Sequence, residues 1–275
     1  MDKINNKQNH WREEYQVPLY SGMIENILKF HNKTILINHE NTMDPISQEV
    51  YDWALENEFK DTLPNLYLKK YSINSHVNND YEGSNRIFNE ESLTEAEFSK
   101  LIIKSFGTNQ HNFSRRYPSA GGLYPILPIL FLFEDNSIED LTLPAGVYVI
   151  DTEKYELLLI KKIDSYIKIE FEKYSNFNRG IGLPSKYCIG YAINIRKSVT
   201  KYKYRGYRHA LIEVGLMAQA FRETCRDNSI LGEFSSSAFD DFKTTSLAGL
   251  DVRNCPVVLL QWFGKNNTGV EFICY

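Results

Sequence analysis

Ser114-Arg-Arg-Tyr-Pro-Ser-Ala-Gly-Gly-Leu-Tyr-Pro125 is the stretch on which the fold of this chain turns. Two arginines come first, then a serine between a proline and small residues, then two glycines and a second proline. Gly121 and Gly122 permit positive φ and let a backbone pass close to a ligand. Ser119 adds a hydroxyl, and Arg115 and Arg116 add planar cationic forks suited to phosphate. The run Ile126-Leu-Pro-Ile-Leu-Phe-Leu-Phe133 reads as a buried strand, which puts the loop at a strand entrance, a common ligand position. Taken alone, the loop reads equally well as a tight turn with surface arginines.

Outward from this loop the chain is regular. Ser92-Leu-Thr-Glu95 reads as a capping box that opens a helix. Phe98, Leu101, Ile102 and Phe106 follow at helical spacing, and Gly107 ends it. Residues 145–150 and 155–160 flank Asp151-Thr-Glu-Lys154 as a hairpin. Residues 188–195 and 257–263 read as strands. Tyr207 to about Asp227 is the strongest amphipathic helix, with Leu211, Ile212, Gly215, Leu216, Ala218 and Phe221 on or near one face. Hairpins and helices that do not alternate as βαβ units indicate an α+β fold. Residues 1–80 read as an N-terminal extension or small helical lobe, and residues 81–275 as the main domain. Within the extension, 22–30 and 46–59 have helical spacing, the latter opened by Asp44-Pro45, and Ser75 to Glu82 reads as a linker.

The 275 residues suffice for one large α+β domain, or a core of ~200 residues with an extension. The 18 Tyr and 16 Phe suit much β-sheet or a large apolar site. A net charge of −4 gives no footprint for a polyanion, so nucleic acid is not an expected partner. The N-terminus is polar with no secretory apolar stretch, and the longest apolar run is too short to span a bilayer. No membrane association is expected, and the cytoplasm is the expected compartment. Cys188, Cys225, Cys255 and Cys274 are widely spaced, with no C-x-x-C pair. They read as core thiols rather than as a zinc site or a disulfide framework.

Arg115-Arg116 followed by Pro118-Ser-Ala-Gly-Gly-Leu-Tyr-Pro125 resembles the hallmark of SagB-type dehydrogenases, the azoline-oxidase branch of the FMN-dependent nitroreductase family. In the wider family the equivalent loop, roughly Pro-Ser-x-x-Asn-x-Gln-Pro, holds the flavin. Here Gly122 stands where that Asn sits, and Ser119 and Pro125 are kept. By resemblance Pro118, Ser119, Ala120, Gly121 and Gly122 form one wall of an FMN site. Ser84-Asn-Arg-Ile-Phe88 is similar to the family's first flavin motif, which directs Ser84 and Arg86 at the phosphate or ribityl chain. Glu82 and Gly83 stand where the family usually has arginines, and Arg115 or Arg116 is the replacement charge.

Lys201-Tyr-Lys-Tyr-Arg-Gly-Tyr-Arg208 resembles the branch's Lys-Tyr-x-x-Arg-x-Tyr-Arg segment, whose Lys-Tyr pair is associated with catalysis. The pair is then Lys201 and Tyr202. A register two residues later selects Lys203 and Tyr204, and the spacing to Arg205 argues against it. Read alone, this segment is a solvated basic lead-in to a helix. Ser235 to Asp241, Gly249-Leu-Asp251 and the strand ending in Gly264 resemble the family's closing motifs. They direct the backbone amides of Ser236 and Ser237 at the N5/O4 edge of the flavin and Lys265 at its phosphate. Serines replace the usual glycines there. The resemblance covers roughly residues 84–265.

What the resemblance implies is a nitroreductase-like fold, with a central, mostly antiparallel sheet flanked by helices and a flavin site built across a homodimer. The implied activity is FMN-dependent oxidation of thiazoline or oxazoline rings to thiazole or oxazole in a ribosomally made peptide, beside a partner cyclodehydratase. Tyr202 is the expected base, with Lys201 lowering its pKa. No metal is expected to take part. One alternative is an NAD(P)H-fed reductase of a dehydroamino acid, quinone or nitro compound. Another is a non-catalytic subunit of a peptide-modifying complex.

Overall fold

The computed structural model describes residues 21–37, 47–58, 60–72, 83–175 and 182–267. In chain order these form α1 (Ser21–Thr34), α2 (Gln48–Asn57), β1 (Leu93–Thr94), α3 (Glu95–Phe106) and a single 3-10 turn, Ala120–Gly122. Next come β2 (Ile126–Leu132), β3 (Ile138–Glu139), β4 (Gly146–Asp151), β5 (Glu156–Lys162), α4 (Ser165–Ser175) and β6 (Tyr187–Ile193). Then follow α5 (Ile195–Tyr202), α6 (Tyr204–Arg226), β7 (Leu231–Ser236), α7 (Asp241–Leu247) and β8 (Val257–Lys265).

Six strands form one sheet in the order β5-β4-β2-β6-β8-β7, with every neighbouring pair antiparallel. β1 and β3 make a separate two-stranded parallel pair. The middle strand β6 is buried at all seven positions, so it is apolar throughout and does not alternate. Helices cover both faces. On one, Phe106 of α3, Val199 of α5 and Met217 and Phe221 of α6 pack against Leu130, Ile189 and Tyr191. On the other, Phe171 of α4 packs with Phe131, Cys188 and Trp262, joined by Ala248 and Leu250 beyond α7. The hairpin and α+β class are as expected, and so are the strands, except that the one read over 188–195 stops at Ile193, where Asn194 caps α5.

Three local expectations change. The capping box that opens α3 is Thr94 with Glu97, two residues later than Ser92 with Glu95. The β1–β3 pairing keeps the backbone extended through Thr94, so the helix starts after it and Thr94 is the cap. On α6, Leu211, Ile212 and Leu216 are 42%, 55% and 40% exposed, whereas Ala210, Val214, Met217 and Phe221 carry the core. Both sets have helical spacing, and only the packing partner distinguishes them. Ser235 and Ser236 lie on an edge strand, β7, where the sequence reads as loop; its polar end hides the strand signal.

Residues 38–83 form one compact unit and the rest of the chain another. The described part of the smaller unit carries α2, N-capped by Ser47 and with no buried residue. Residues 21–37 belong to the larger unit, where the His31 ring meets the Tyr207 hydroxyl at 2.7 Å and the Asn26 amide donates to Tyr204. The start signal Asp44-Pro45 and the linker Ser75 to Glu82 lie outside the described residues.

Candidate active site

The loop 118–125 folds around Ser119. Its hydroxyl accepts from the Tyr124 N–H at 2.8 Å and donates to Glu213 Oε2 at 2.6 Å. Gly121 and Gly122 have φ of 63° and 67°, the left-handed region that favours glycine. At 121 a second demand applies. A Cβ there would stand 2.4 Å from Tyr202 Oη and 2.7 Å from Lys201 Nζ. At 122 a Cβ would meet nothing within 4 Å, so that backbone is open to approach. Pro118 is exposed and Ala120 half-buried.

The loop therefore touches the Lys201-Tyr202 pair, which forms the last turn of α5. Lys201 is exposed, Tyr202 is half-buried, and the ammonium lies 5.4 Å from the Tyr202 ring centre. Lys203 then turns the chain with φ 52° and ψ −135°, a strained conformation for a residue with a side chain. Gly206 lets α6 start against α5, since a Cβ there would be 2.1 Å from the Ser198 carbonyl oxygen. From α6, His209 meets the Tyr202 ring edge to face at 5.0 Å between centres. One turn further, Glu213 is 2% exposed, and burial pushes its carboxyl up to about 7. The Ser119 hydrogen bond and the charges of Arg115 and Lys197 oppose that rise.

A second patch gathers Ser84, Arg86 and Lys265. The strip 84–89 runs beside the end of β8: Asn85 bonds Asn266, Phe88 bridges to Asn266, and the Asn89 N–H donates to the Lys265 carbonyl at 3.0 Å. Arg222 of α6 donates to Ser84 Oγ at 3.4 Å and pairs through Nε with Glu233 at 3.1 Å. Glu233 is buried and also accepts from Gln261 at 2.6 Å. Arg86 is exposed, and Lys265 lies 3.7 and 3.6 Å from Glu91 and Glu97. Leu231 of β7 opposes Lys265, so Ser236 lies five residues along that strand, about 17 Å away. Ser236 is half-buried and Ser237 exposed.

Arg115 and Arg116 go elsewhere. Arg115 lies over the Tyr124 ring at 4.2 Å and donates to Thr108 and Tyr117. Arg116 reaches Thr224, Glu223 and Asp227 near the end of α6. Phe239, Asp240 and Asp241 are structural. Phe239 is fully buried, Asp240 caps α7, and Asp241 accepts from the Leu36 N–H at 2.8 Å.

Glu213, His209, Arg222 and Glu233 are the polar residues of these patches that the motifs do not single out. A glutamate between Ala210, Val214 and Met217 on the core face is the one sequence signal that could have found them. Glu213 and Arg222 are nine residues apart, which is about 13 Å and two and a half turns of helix. They therefore leave α6 on opposite flanks. Cys188, Cys225 and Cys255 are buried and in no disulfide; Cys274 lies outside the described residues. Among the described residues no three His, Cys, Asp or Glu gather as a metal site, and no helix is long and apolar enough to cross a membrane.

Set against solved structures, the chain superposes on a chain of the Escherichia coli microcin synthetase McbBCD complex with truncated pro-MccB17 bound. The TM-score is 0.80 at 22% identity, over 94% of this chain and 97% of that one. Proteins assigned as nitroreductases from Ralstonia eutropha and Anabaena variabilis superpose with TM-scores of 0.54 and 0.55, at 19% and 18% identity. They cover 68% and 66% of this chain, and 80% and 36% of their own. The chain has the nitroreductase fold. No family model matches this nitroreductase-fold chain. Among curated proteins it is similar to the microcin B17-processing protein McbC of Escherichia coli, 29% identical over 174 residues. That match spans 61% of this chain and 61% of McbC. The relative and the superposed complex both agree with the resemblance carried by residues 84–265.

Proposed function

We propose that the chain is an FMN-dependent oxidoreductase that converts thiazoline or oxazoline rings of a ribosomally made peptide into thiazole or oxazole. The observation that carries this is the docking of Lys201 and Tyr202 on Gly121, inside the loop that resembles the branch's hallmark. Similarity to McbC, whose described role is processing of microcin B17, supports a peptide substrate. The likeness to a chain of the McbBCD complex supports work beside other subunits, a cyclodehydratase among them.

The residues present fit FMN. Gly122 leaves backbone open to a flat ring, and the Ser84–Lys265 patch offers cations to a phosphate. Arg86, which is exposed, leads the phosphate residues of this reading, with Lys265 exchanging the carboxylates of Glu91 and Glu97 for the phosphate and Arg222 behind Ser84. The amides of Ser236 and Ser237, a strand's length from Lys265, would hold the ring edge. Bound FMN would supply a hydride acceptor that dioxygen can regenerate. The chain's own part is to orient the azoline over that wall and to take the carbon-bound proton on Tyr202 Oη. Lys201 Nζ stands beside it at Gly121.

A homodimer belongs to the same reading. One chain's phosphate patch and proton-taking patch lie on opposite flanks of α6, and its outer face exposes Leu211, Ile212 and Leu216. A second copy would cover those side chains and join the two patches. The buried thiols suit a reducing compartment, and the cytoplasm is the compartment proposed.

The test is a spectrum of the purified protein followed by mass analysis of an azoline peptide. Flavin absorption with loss of two hydrogens from the peptide is expected. A flavin-loaded protein that leaves the mass unchanged overturns the reading. Rapid anaerobic bleaching by NADPH would point instead to a reductase.

A further inference from the structure

Glu213 is a carboxylate on the core face of α6, 2% exposed, and no cation bridges to it among the described residues. Oε2 receives the Ser119 hydrogen, whereas Oε1 is buried with no hydrogen-bond partner. One turn back on the same helix, His209 Nδ1 is likewise buried and unpartnered. A neutral amide or alkyl side chain would satisfy the packing at 213 at less cost, because an unpaired buried acceptor costs about 1–3 kcal/mol.

The two unpartnered atoms belong to residues that line one half-open space of about 10 Å³, with Tyr202, Ala120, Leu123 and Ser198 around it. That volume is near the lower limit for one water, which needs about 10–15 Å³ and two or more polar partners. His209 also lies against the Tyr202 ring. Tyr202, His209 and Glu213 thus line one space between the reactive loop and α6.

We propose that His209 and Glu213 are the proton exit for Tyr202, with Glu213 the residue on which the proton comes to rest. This rests on the reading of Tyr202 as the base. The azoline ring loses one hydrogen as a proton and one as a hydride. The carbon–hydrogen bond that yields the proton breaks toward the Tyr202 oxygen. The proton then passes to an imidazole nitrogen of His209 and on to Glu213 Oε1 through a water in the space that both residues line. It leaves to solvent when product departs.

The groups facing Glu213 are Ser119, Arg115 and Tyr117 from the loop segment, Lys197 and Tyr202 from α5, and His209 from α6. Burial holds the carboxyl near 7, so it can both accept and release a proton at neutral pH. Only its deprotonated form can accept, so activity should fall as pH drops through that value.

Two readouts test the proton exit. In the flavin-loaded enzyme with an azoline peptide, wild-type kcat/KM should show an acid limb near pH 7. In Glu213→Gln the limb should vanish, with kcat down roughly 10²-fold and flavin affinity unchanged. Ser119→Ala removes the hydrogen bond that favours the carboxylate, so its limb should move to higher pH. It serves too if Glu213→Gln does not fold. Independently of turnover, the infrared carboxyl band that titrates near pH 7 in wild type should be absent from Glu213→Gln and displaced in His209→Phe. Identical pH profiles in wild type and variants, with a carboxyl titration that His209→Phe leaves unmoved, overturn the proposal. An inert wild type whose carboxyl titration moves in His209→Phe would sink the azoline reading and keep the His209–Glu213 pair.

Discussion

The Tyr202 hydroxyl occupies the space that a side chain at Gly121 would need: a Cβ there would lie 2.4 Å from Oη. Gly121 also has φ of 63°, so backbone and space demand glycine together. Gly122 shares the conformation but faces open space. Gly121→Ala should displace Tyr202 and cut turnover roughly 10²-fold, at a stability cost of about 1–3 kcal/mol. Gly122→Ala should cost a similar backbone strain, keep Tyr202 in place and weaken flavin binding instead. Turnover and flavin titration of the two variants side by side separate the cases, and equal behaviour would contradict the assignment.

Tyr202→Phe removes the proposed base and little else, since Tyr202 is only half-buried. Turnover should fall by about 10²–10⁴-fold while the yellow colour is retained. Wild-type rates of azoline aromatisation in this variant would remove Tyr202 from the mechanism.

Lys203 holds φ 52° and ψ −135° between α5 and α6. Glycine tolerates this region, so Lys203→Gly should stabilise the fold by about 1 kcal/mol. The same change loosens the corner that aims Tyr202, so kcat should drop while the melting temperature rises. A variant that is less stable than wild type would show that the corner is unstrained.

The Arg222–Glu233 pair is partly buried, with side chains 27% and 4% exposed. Arg222→Ala leaves Glu233 facing Gln261 with no cation, a loss of about 3 kcal/mol in urea unfolding. Adding Glu233→Gln should recover part of that loss. No recovery would mean that Arg222 acts by packing rather than by charge.

Burial pushes the Asp241 carboxyl up to about 6 from its ordinary 3.8. A carboxyl that binds its proton more tightly when folded favours the fold at low pH. That contribution is fully present below about pH 4 and is lost as pH rises through about 6. Asp241→Asn should therefore unfold at higher urea than wild type at pH 7, with the gap closing toward pH 4. A gap that widens on acidification would reverse the sign.

Sequence alone reached the sheet because its strands are long apolar runs bounded by Gly, Pro and Asp. It reached the loop because Ser119, Gly121 and Gly122 sit where only certain residues work. It missed β7 because an edge strand ending in Ser235-Ser236 lacks the apolar alternation of a central one. On α6 it placed Ala218 and Phe221 rightly in the core, but added Leu211, Ile212 and Leu216, which repeat with the same period and are exposed. Arg115 and Arg116 look like phosphate ligands until Tyr124 and the carboxylates of Glu223 and Asp227 come into view. Tyr124 is nine residues from Arg115, and the two carboxylates are more than 100 from Arg116, beyond the reach of any local pattern.

Because Glu213 and Arg222 sit on one unbroken helix, α6 works as a gauge block between one chain's two patches. Side chains between them can be exchanged without altering the separation. Removing a single residue would shorten it by about 1.5 Å and swing everything beyond by about 100°. The residue count from 213 to 222 is thus a dimension of the machine, fixed more tightly than the identity of most letters within it.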